Sequence, residues 1–340
     1  MRYLGLESSC DESAIAIWET GKGVIYEQVL SQVDCHSPYG GVMPGIAIRE
    51  HLVGFQTLLE KIQLSIDLKH LDGIGVTHGP GLMGCLGVGL AYAQSLQLIL
   101  RKPLMGINHL QGHVLSPFMA HVYTPNFSWE HVCPHLGLLV SGGNTLLFKM
   151  THKDARFTFE VLAQTQDDAA GEALDKGARL LGFSYPGGPL IEQAAKQGDA
   201  KAFKFPEAFK KCDEWQFSFS GLKTSLRYFL DKHPKAWIEH HKPSICAAYE
   251  EAVVNALTRK VSCALKQTHY QSLGLSGGVA NNERLRHACQ RIAQHYGIPL
   301  FLPEKSYCGD NASMIAFLTS LKGKETPTVH LNPHLKINED

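Results

Sequence analysis

The chain builds one device twice. Tyr3–Leu6 is a short apolar run, Glu7-Ser8-Ser9-Cys10-Asp11-Glu12 is a polar turn, and Ala14–Trp18 is apolar again. Far downstream, Leu136–Val140, the turn Ser141-Gly142-Gly143-Asn144-Thr145 and Leu146–Met150 follow the same order. Short apolar runs bounded by turn residues read as buried strands. Two strand–turn–strand hairpins, each able to open a domain, predict a duplicated architecture, matched in pattern and not in residue identity. The length of 340 residues agrees, since it exceeds what one ordinary core organises.

Helical signals fill the intervals. Arg49–Leu68 places Leu52, Val53, Phe55, Leu58, Leu59, Ile62 and Ile66 near helical period. Leu71–Thr77 reads as a strand, and Gly79-Pro80-Gly81 turns the chain into a helix near Gly87–Leu100. In the second half, Asp167–Leu181 is a helix with an acidic first turn and Gly182 beyond its end. Ile245–Thr268 is a longer helix, Gln271–Leu275 a strand running into Ser276-Gly277-Gly278, and Arg284–His295 a further helix. Alternating strands and helices predict α/β layers with mixed sheets. No low-complexity linker separates the halves, and the boundary falls near residue 120.

Composition narrows the function. With 44% apolar and 19% charged residues the chain is an ordinary globular one, not a disordered one. Lys+Arg and Asp+Glu both number 32, so net charge gives no sign of nucleic-acid binding, and any RNA contact must come from local patches or a partner. The nine cysteines are scattered and contain no CxxC, which predicts reduced thiols and neither a disulfide framework nor a zinc ribbon. The start, MRYLGLESSCDES, has no signal-peptide core. Gly79–Leu100 is broken by five glycines, a proline and two glutamines, so it reads as a loop and a packed helix, not a membrane span. A cytoplasmic location is the expectation.

Three HxxxH pairs occur among the 18 histidines: His109/His113, His131/His135 and His330/His334. Imidazoles four apart on a helix can clamp a divalent metal. Pro134 and Pro333 precede the second histidine of the latter two and spoil helical geometry there. His109/His113 is therefore the candidate clamp, against the alternative of two ordinary core histidines. Asp310, ahead of the helix Ala312–Leu321, reads either as that helix's N-terminal cap or as a third ligand. A metalloprotease would carry HExxH, and Leu110 stands where its glutamate belongs.

Ser141-Gly142-Gly143 and Ser276-Gly277-Gly278 each follow an apolar strand, and Gly187-Gly188 lies in a third turn, YPGGP. Such turns either only reverse the chain or present backbone N–H groups to an anion. With the Ser8–Glu12 turn they fit a nucleotide-phosphate site, while GxxxxGK[ST] and GxGxxG are absent. Asp11 and Glu12 are candidate bases or cation holders, and Asp175, beside Lys176, a candidate ribose ligand; solvated carboxylates are the alternative. From Lys196 to Lys242, ten Lys/Arg with Phe203, Phe205, Phe209 and Tyr228 read as an RNA-facing surface or, since six acids share the segment, as a solvated face.

Taken in order, Glu7–Glu12, Tyr39-Gly40-Gly41-Val42 with Pro44, Gly79-Pro80-Gly81-Leu82, Asn108–His113, Val140–Thr145, Asp167–Lys176, Tyr185–Pro189, Phe217–Thr224, Gly277–Asn282 and Asp310-Asn311 resemble the TsaD family, older names Gcp and YgjD. The resemblance implies the duplicated actin and sugar-kinase (ASKHA) fold, two lobes with mixed sheets flanked by helices around a central cleft. The expected lobes are residues 1–120 with a C-terminal return at about 318–340, and residues 121–317. The implied activity is transfer of a threonylcarbamoyl group from threonylcarbamoyl-AMP to N6 of adenosine 37 in tRNAs reading codons that begin with A. It implies His109, His113 and Asp310 as ligands of one divalent metal, iron or zinc, and Leu139, Val140, Ser141, Gly142, Gly143, Asp175, Gly188 and Asn282 as adenylate contacts. Gly277 and Gly278 join these as loop glycines, and Ser9 and Asp11 match the first polar turn. Asp11 or Glu12 is the expected proton acceptor, by location. Implied partners are the tRNA anticodon loop, TsaB-like and TsaE-like proteins in a bacterium, and a homodimer; the Arg49–Leu68 and Gly87–Leu100 helices are the candidate partner face, with Phe55 and Leu59 at its centre. Asn144 replaces the histidine of many bacterial members, and Gly45 and Ile48 replace the usual Glu and Ser. Other readings are a metallopeptidase, an old family label, and a non-catalytic ATP-binding scaffold of the actin class.

Overall fold

The computed structural model describes residues 1–323 and 328–339. The chain forms two compact units, Met1–Phe127 with Pro303–Asp340, and Ser128–Leu302. Part of the expected C-terminal return, residues 324–327 and 340, lies outside the described residues.

The first unit opens with β1 (Arg2–Glu7), β2 (Glu12–Glu19) and β3 (Gly23–Ser31), followed by α1 (Val33–His36), α2 (Pro44–Ser65), β4 (Gly73–Gly79), α3 (Met83–Leu100), β5 (Leu104–Asn108) and α4 (His109–Leu115). The second contains α5 (Trp129–Val132), β6 (His135–Val140), β7 (Thr145–Lys153), β8 (Arg156–Thr165), α6 (Ala170–Leu180), α7 (Gly188–Ala195), β9 (Gln216–Phe217), α8 (Ser220–Asp231), α9 (Lys235–Gln267), β10 (Ser272–Ser276), α10 (Glu283–Tyr296) and β11 (Leu300–Phe301). The chain then returns to the first unit in α11 (Ala312–Lys322).

The duplication is visible in strand order. The first sheet runs β3-β2-β1-β4-β5, and the second runs β11-β10-β6-β7-β8-β9. In each, an antiparallel three-strand meander (β1-β2-β3, β6-β7-β8) is extended by two parallel strands (β4 and β5, β10 and β11). The two polar turns read from the sequence are the first hairpin loops of the two sheets.

In the first unit the core fills with Leu4, Leu6, Ile15, Ile17, Phe55, Leu58, Ile62, Ile74 and Val76, all fully buried. Helix α2 lays Ala47, His51, Phe55, Leu58 and Ile62 against the sheet, a spacing of three to four residues that keeps them on one face. Removing one such side chain from water contributes roughly 1.5–3 kcal/mol. Helix α11 lies on β1 so closely that a Cβ on Gly5 would strike the Ala312 carbonyl and the Ala316 amide. Helix α3 is the one described helix long and apolar enough to cross a membrane by length and composition; it packs on α2 and β4 within this unit.

Two expectations are corrected here. Cys212 and Cys263 form a disulfide with Cα atoms 5.3 Å apart, leaving seven free cysteines. Their 51-residue separation hid the pairing, because only the fold of the 204–216 segment against α9 brings them together. The long helix also begins at Lys235 and not at Ile245, with Pro243 inside it. Proline removes only one hydrogen bond, and the flanking turns carry the helix through.

Candidate active site

Strands β1, β4 and β5 are parallel, so their C-terminal ends share one edge of the first sheet. Function in such sheets gathers at that edge. Strand β1 ends there in Glu7, β4 carries Thr77 near its end, and β5 passes without a break into α4. Asn108 fixes that junction: its Oδ1 accepts from the Leu110 and Gln111 amides at 2.9 and 3.3 Å, and its Nδ2 donates to the Lys336 and Glu339 carbonyls. Every residue of α4 is buried, and the His109 and His113 rings meet nearly edge-to-face with centroids 4.6 Å apart.

Asp310 completes a trio. The cap of α11 is Asn311, whose Oδ1 accepts from the Met314 amide, so Asp310 is not the cap. Its Oδ1 lies 3.0 Å from His113 Nε2 and 3.5 Å from His109 Nε2. The three candidate ligand atoms lie within 4.8 Å of one another. Two imidazole nitrogens and one carboxylate oxygen suit zinc or iron, with coordination positions left for substrate. His113 Nδ1 is buried without a hydrogen-bond partner among the described residues, while Nε2 faces Asp310. The donor set therefore fits a divalent metal. His131 and His135 lie on α5 and β6, and His330 and His334 lie outside any helix, so neither pair shares a helical face.

Charge in this pocket is strongly coupled. Burial pulls the His109 pKa down, but the Glu7 and Asp310 carboxylates outweigh it and hold the imidazole up at about 9. Burial pushes Asp310 up, and the two histidines bring it down to about 2. Glu7 likewise sits below the usual carboxylate value, because His109 and the Thr77 hydroxyl overcome its burial. Metal-free, the site is thus an imidazolium between two carboxylates, and a divalent cation would take over the positive role.

Ser9 and Asp11 are buried beside this centre, and Glu12 is half-buried. Ser9 Oγ lies 3.3 Å from His109 Nδ1, so Ser9 stands against the metal trio. Burial, then the Asp310 and Asp11 carboxylates, push Glu12 up to about 9, so it holds its proton at neutral pH in the metal-free protein. The turn is pinned from behind by His51 of α2, whose Nε2 donates to the Cys10 carbonyl at 3.0 Å while Nδ1 meets Ser13 Oγ at 2.7 Å. The sequence reading gave no role to His51, Glu7 or Thr77. An acid closing an otherwise apolar strand was the available signal for Glu7; nothing local marked the other two.

The second unit holds the glycine loops. Leu139 and Val140 are fully buried in β6, and Ser141 closes the turn, its Oγ accepting from the Asn144 amide. Gly142 and Gly143 are exposed, with open space where a side chain would stand. Parallel pairing of β6 with β10 sets Gly277 beside Val140, at φ +87°, where a Cβ would strike the Val140 carbonyl. Gly171, at the start of α6, packs equally closely on the Ser141 carbonyl. Ser141–Gly143, Gly277–Gly278 and the α6 N-terminus thus converge.

Asp175 and Asn282 are committed within the protein. Asp175 Oδ1 accepts from the Gly187 and Gly188 amides at 2.8 and 3.0 Å. Asn282 Oδ1 caps α10 and its Nδ2 donates to Glu250 at 2.5 Å. Helix α6 starts at Ala170, so Asp167 and Asp168 precede it. Asp167 accepts from the Ser218 and Ser220 hydroxyls, and Asp168 pairs with Lys176 and Lys223. Between Lys196 and Lys242, Phe203 and Phe205 pack edge-to-face on Phe229 and turn inward, while Lys196 and Lys242 pair with Glu283 and Glu239. Tyr228 of the same segment is exposed.

A family profile described as tRNA N6-adenosine threonylcarbamoyltransferase, TsaD, matches residues 23–317. The chain belongs to the TsaD family. Relatives bearing that enzyme name include one from an Anaeromyxobacter species, 44% identical over 93% of this chain and 92% of its own length. Another, from Carboxydothermus hydrogenoformans, is 41% identical over 99% and 98%. Solved structures with the same fold include HypF from T. kodakarensis (TM-score 0.61, 15% identity, 94% of this chain and 47% of that one). A ROK family protein from Streptococcus pneumoniae in complex with sucrose is similar at TM-score 0.52 and 11% identity, over 95% and 98%. These neighbours place this TsaD family member among the actin and sugar-kinase-like α/β folds.

Proposed function

We propose that this chain transfers the threonylcarbamoyl group from threonylcarbamoyl-AMP to N6 of adenosine 37 in tRNAs reading codons that begin with A, using one divalent metal, iron or zinc. The observation that carries the reading is the His109–His113–Asp310 trio at the end of the first sheet, with both histidines buried and Asp310 half-buried. Bound there, the metal supplies Lewis acidity toward the carbonyl and phosphate oxygens of the donor. The chain's own residues do the rest. Exposed Gly142 and Gly143, with Gly277 and Gly278, offer backbone approach to the adenylate, and Leu139, Val140 and Ser141 hold that turn rigid. Asp175 and Asn282 act by fixing the Gly187–Gly188 turn and the start of α10, and so shape the ground on which a nucleotide sits. Asp11 and Glu12 are, in this reading, the acceptors of the amine proton, and burial with the neighbouring carboxylates keeps the proton on Glu12 until a cation offsets them. The acceptor adenosine stands in a single-stranded loop, so its amine can be presented without melting a duplex.

A metallopeptidase is disfavoured, because position 110 is a buried leucine with no base to offer. A non-catalytic scaffold would need no metal ligands. For the partner face, α2 and α3 expose Leu52, Val53, Leu64, Leu98 and Ile99, and we assign a TsaB-like protein to it. Phe55 is fully buried and Leu59 partly so, so on α2 the exposed apolar residues are Leu52, Val53 and Leu64 instead. The deciding experiment incubates the protein with unmodified tRNA, threonine, bicarbonate, ATP and an adenylate-forming enzyme, followed by nucleoside analysis. Modified adenosine that vanishes on chelation and returns with metal is expected; full transfer by a chelated, folded protein refutes the metal-dependent reading.

A further inference from the structure

Glu7 meets His109 at Nδ1, whereas His113 Nδ1 has no such partner among the described residues. The Glu7 carboxylate is fully inaccessible and three donors converge on it: the Thr77 hydroxyl at 2.5 Å, the Ser9 amide at 2.6 Å and His109 Nδ1 at 3.0 Å. A carboxylate sealed from water is costly unless each lone pair is met, and these contacts meet it. With Thr77 and Ser9 already donating, the remaining partner must donate as well. The hydrogen-bond pattern therefore puts a proton on His109 Nδ1, the one that stays when a cation takes Nε2, with Ser9 Oγ at 3.3 Å in that proton's neighbourhood. Fixing the proton on Nδ1 leaves Nε2 as the atom that faces Asp310.

We infer that Glu7 is a positioning residue for the metal: it locks the tautomer and ring angle of His109 and makes Nε2 a stronger donor, a support that His113 Nδ1 lacks among the described residues. This inference rests on the reading of His109, His113 and Asp310 as metal ligands. Second-shell carboxylates of this kind typically govern affinity by 10–100-fold. The arrangement is built from backbone elements, since Glu7 closes β1, Thr77 sits on neighbouring β4 and His109 begins α4. The His109 ring therefore cannot turn without breaking a buried contact.

The test uses the full-length protein stripped of metal and titrated with Zn²⁺ alone against a chromophoric chelator, and separately with Co²⁺ while its visible absorption is followed. Glu7→Gln is expected to weaken Zn²⁺ binding by about 10–100-fold and to alter the Co²⁺ spectrum, with the unfolding midpoint measured alongside. In the Zn²⁺-loaded protein, imidazole ¹⁵N resonances should show His109 losing its fixed Nδ1–H form, and His113 unchanged. Should Glu7→Gln fail to fold, Thr77→Val, which keeps the carboxylate but removes one of its anchors, is expected to weaken binding in the same direction by a smaller factor. Wild-type affinity and an unchanged Co²⁺ spectrum in both variants overturn the role of Glu7. A wild-type protein that takes up neither ion overturns the metal reading itself, and the two failures are thus distinct.

Discussion

His113 Nε2 stands 3.0 Å from Asp310 Oδ1 across a sequence separation of 197. The contact exists because α11 lies on β1 and against α4, so the residue just ahead of the α11 cap arrives where α4 presents its two imidazoles. Asp310→Asn keeps the size of the side chain and removes the charge. Losing a ligand to a Lewis acid that supplies several kcal/mol should lower transfer by about 100-fold or more, with little change in fold. Metal content and nucleoside analysis of the same preparation check it. Metal retained at full occupancy with normal transfer would remove Asp310 from the site.

The route by which α11 reaches that position can be tested through Gly5. Any side chain there meets backbone, the Ala312 carbonyl and the Ala316 amide, and backbone cannot swing aside as a side-chain tip can. Gly5→Val should destabilise the protein by about 1–3 kcal/mol or more through overpacking. Because the displaced helix carries Asp310, metal affinity should fall as well. Denaturant unfolding paired with metal titration separates the two effects; stability and affinity both equal to wild type would show that the approach of α11 is not limiting.

How far these features could be read from the chain alone depended on how local each one was. The paired hairpins and the Arg49–Leu68 helix announced themselves, since apolar alternation and helical period are carried by neighbouring residues. His109 and His113 were likewise visible as a pair, because one helical turn is a sequence distance. Asp310 offered two readings, and the cap on Asn311 removes one of them. Glu7, Thr77 and His51 carried no local mark, since their roles come from strand neighbours and from α2 lying behind the first turn. Asp175 and Asn282 were read as ligand contacts from their positions, and the structure adds hydrogen bonds to Gly187, Gly188 and Glu250 that no spacing discloses. The Cys212–Cys263 pair failed for the same reason.

Helix α2 offers a contrast between adjacent residues. Leu52 and Val53 are 49% and 64% exposed, and Phe55 is fully buried. Leu52→Glu with Val53→Glu should leave the isolated protein within about 0.5 kcal/mol of wild type, as surface changes usually do. The same pair should weaken association with a TsaB-like partner by at least tenfold. Phe55→Ala should instead cost about 3–5 kcal/mol from the cavity it opens. Calorimetric titration and denaturant unfolding of the variants check both halves, and association unaffected by the double substitution would move the partner elsewhere.

His135 gives the second unit a pH dependence. It is buried in β6 against Phe148 and Phe301, its Nδ1 donates to Ser272 Oγ at 2.6 Å, and that hydroxyl donates onward to the Val132 carbonyl. Burial drives its pKa down to about 3 from an ordinary 6.5. The sign follows from proton counting: between those values the unfolded chain binds a proton that the folded one refuses, so folding stability rises with pH across the window. The contribution is complete above about 6.5 and is lost as pH falls toward 3, with an upper limit on the order of 5 kcal/mol. His135→Gln, which cannot titrate, should flatten the stability profile between pH 6.5 and the acid limit of folding. Urea midpoints measured at half-unit pH steps test this, and parallel profiles for the two proteins would show that His135 is not the group that titrates.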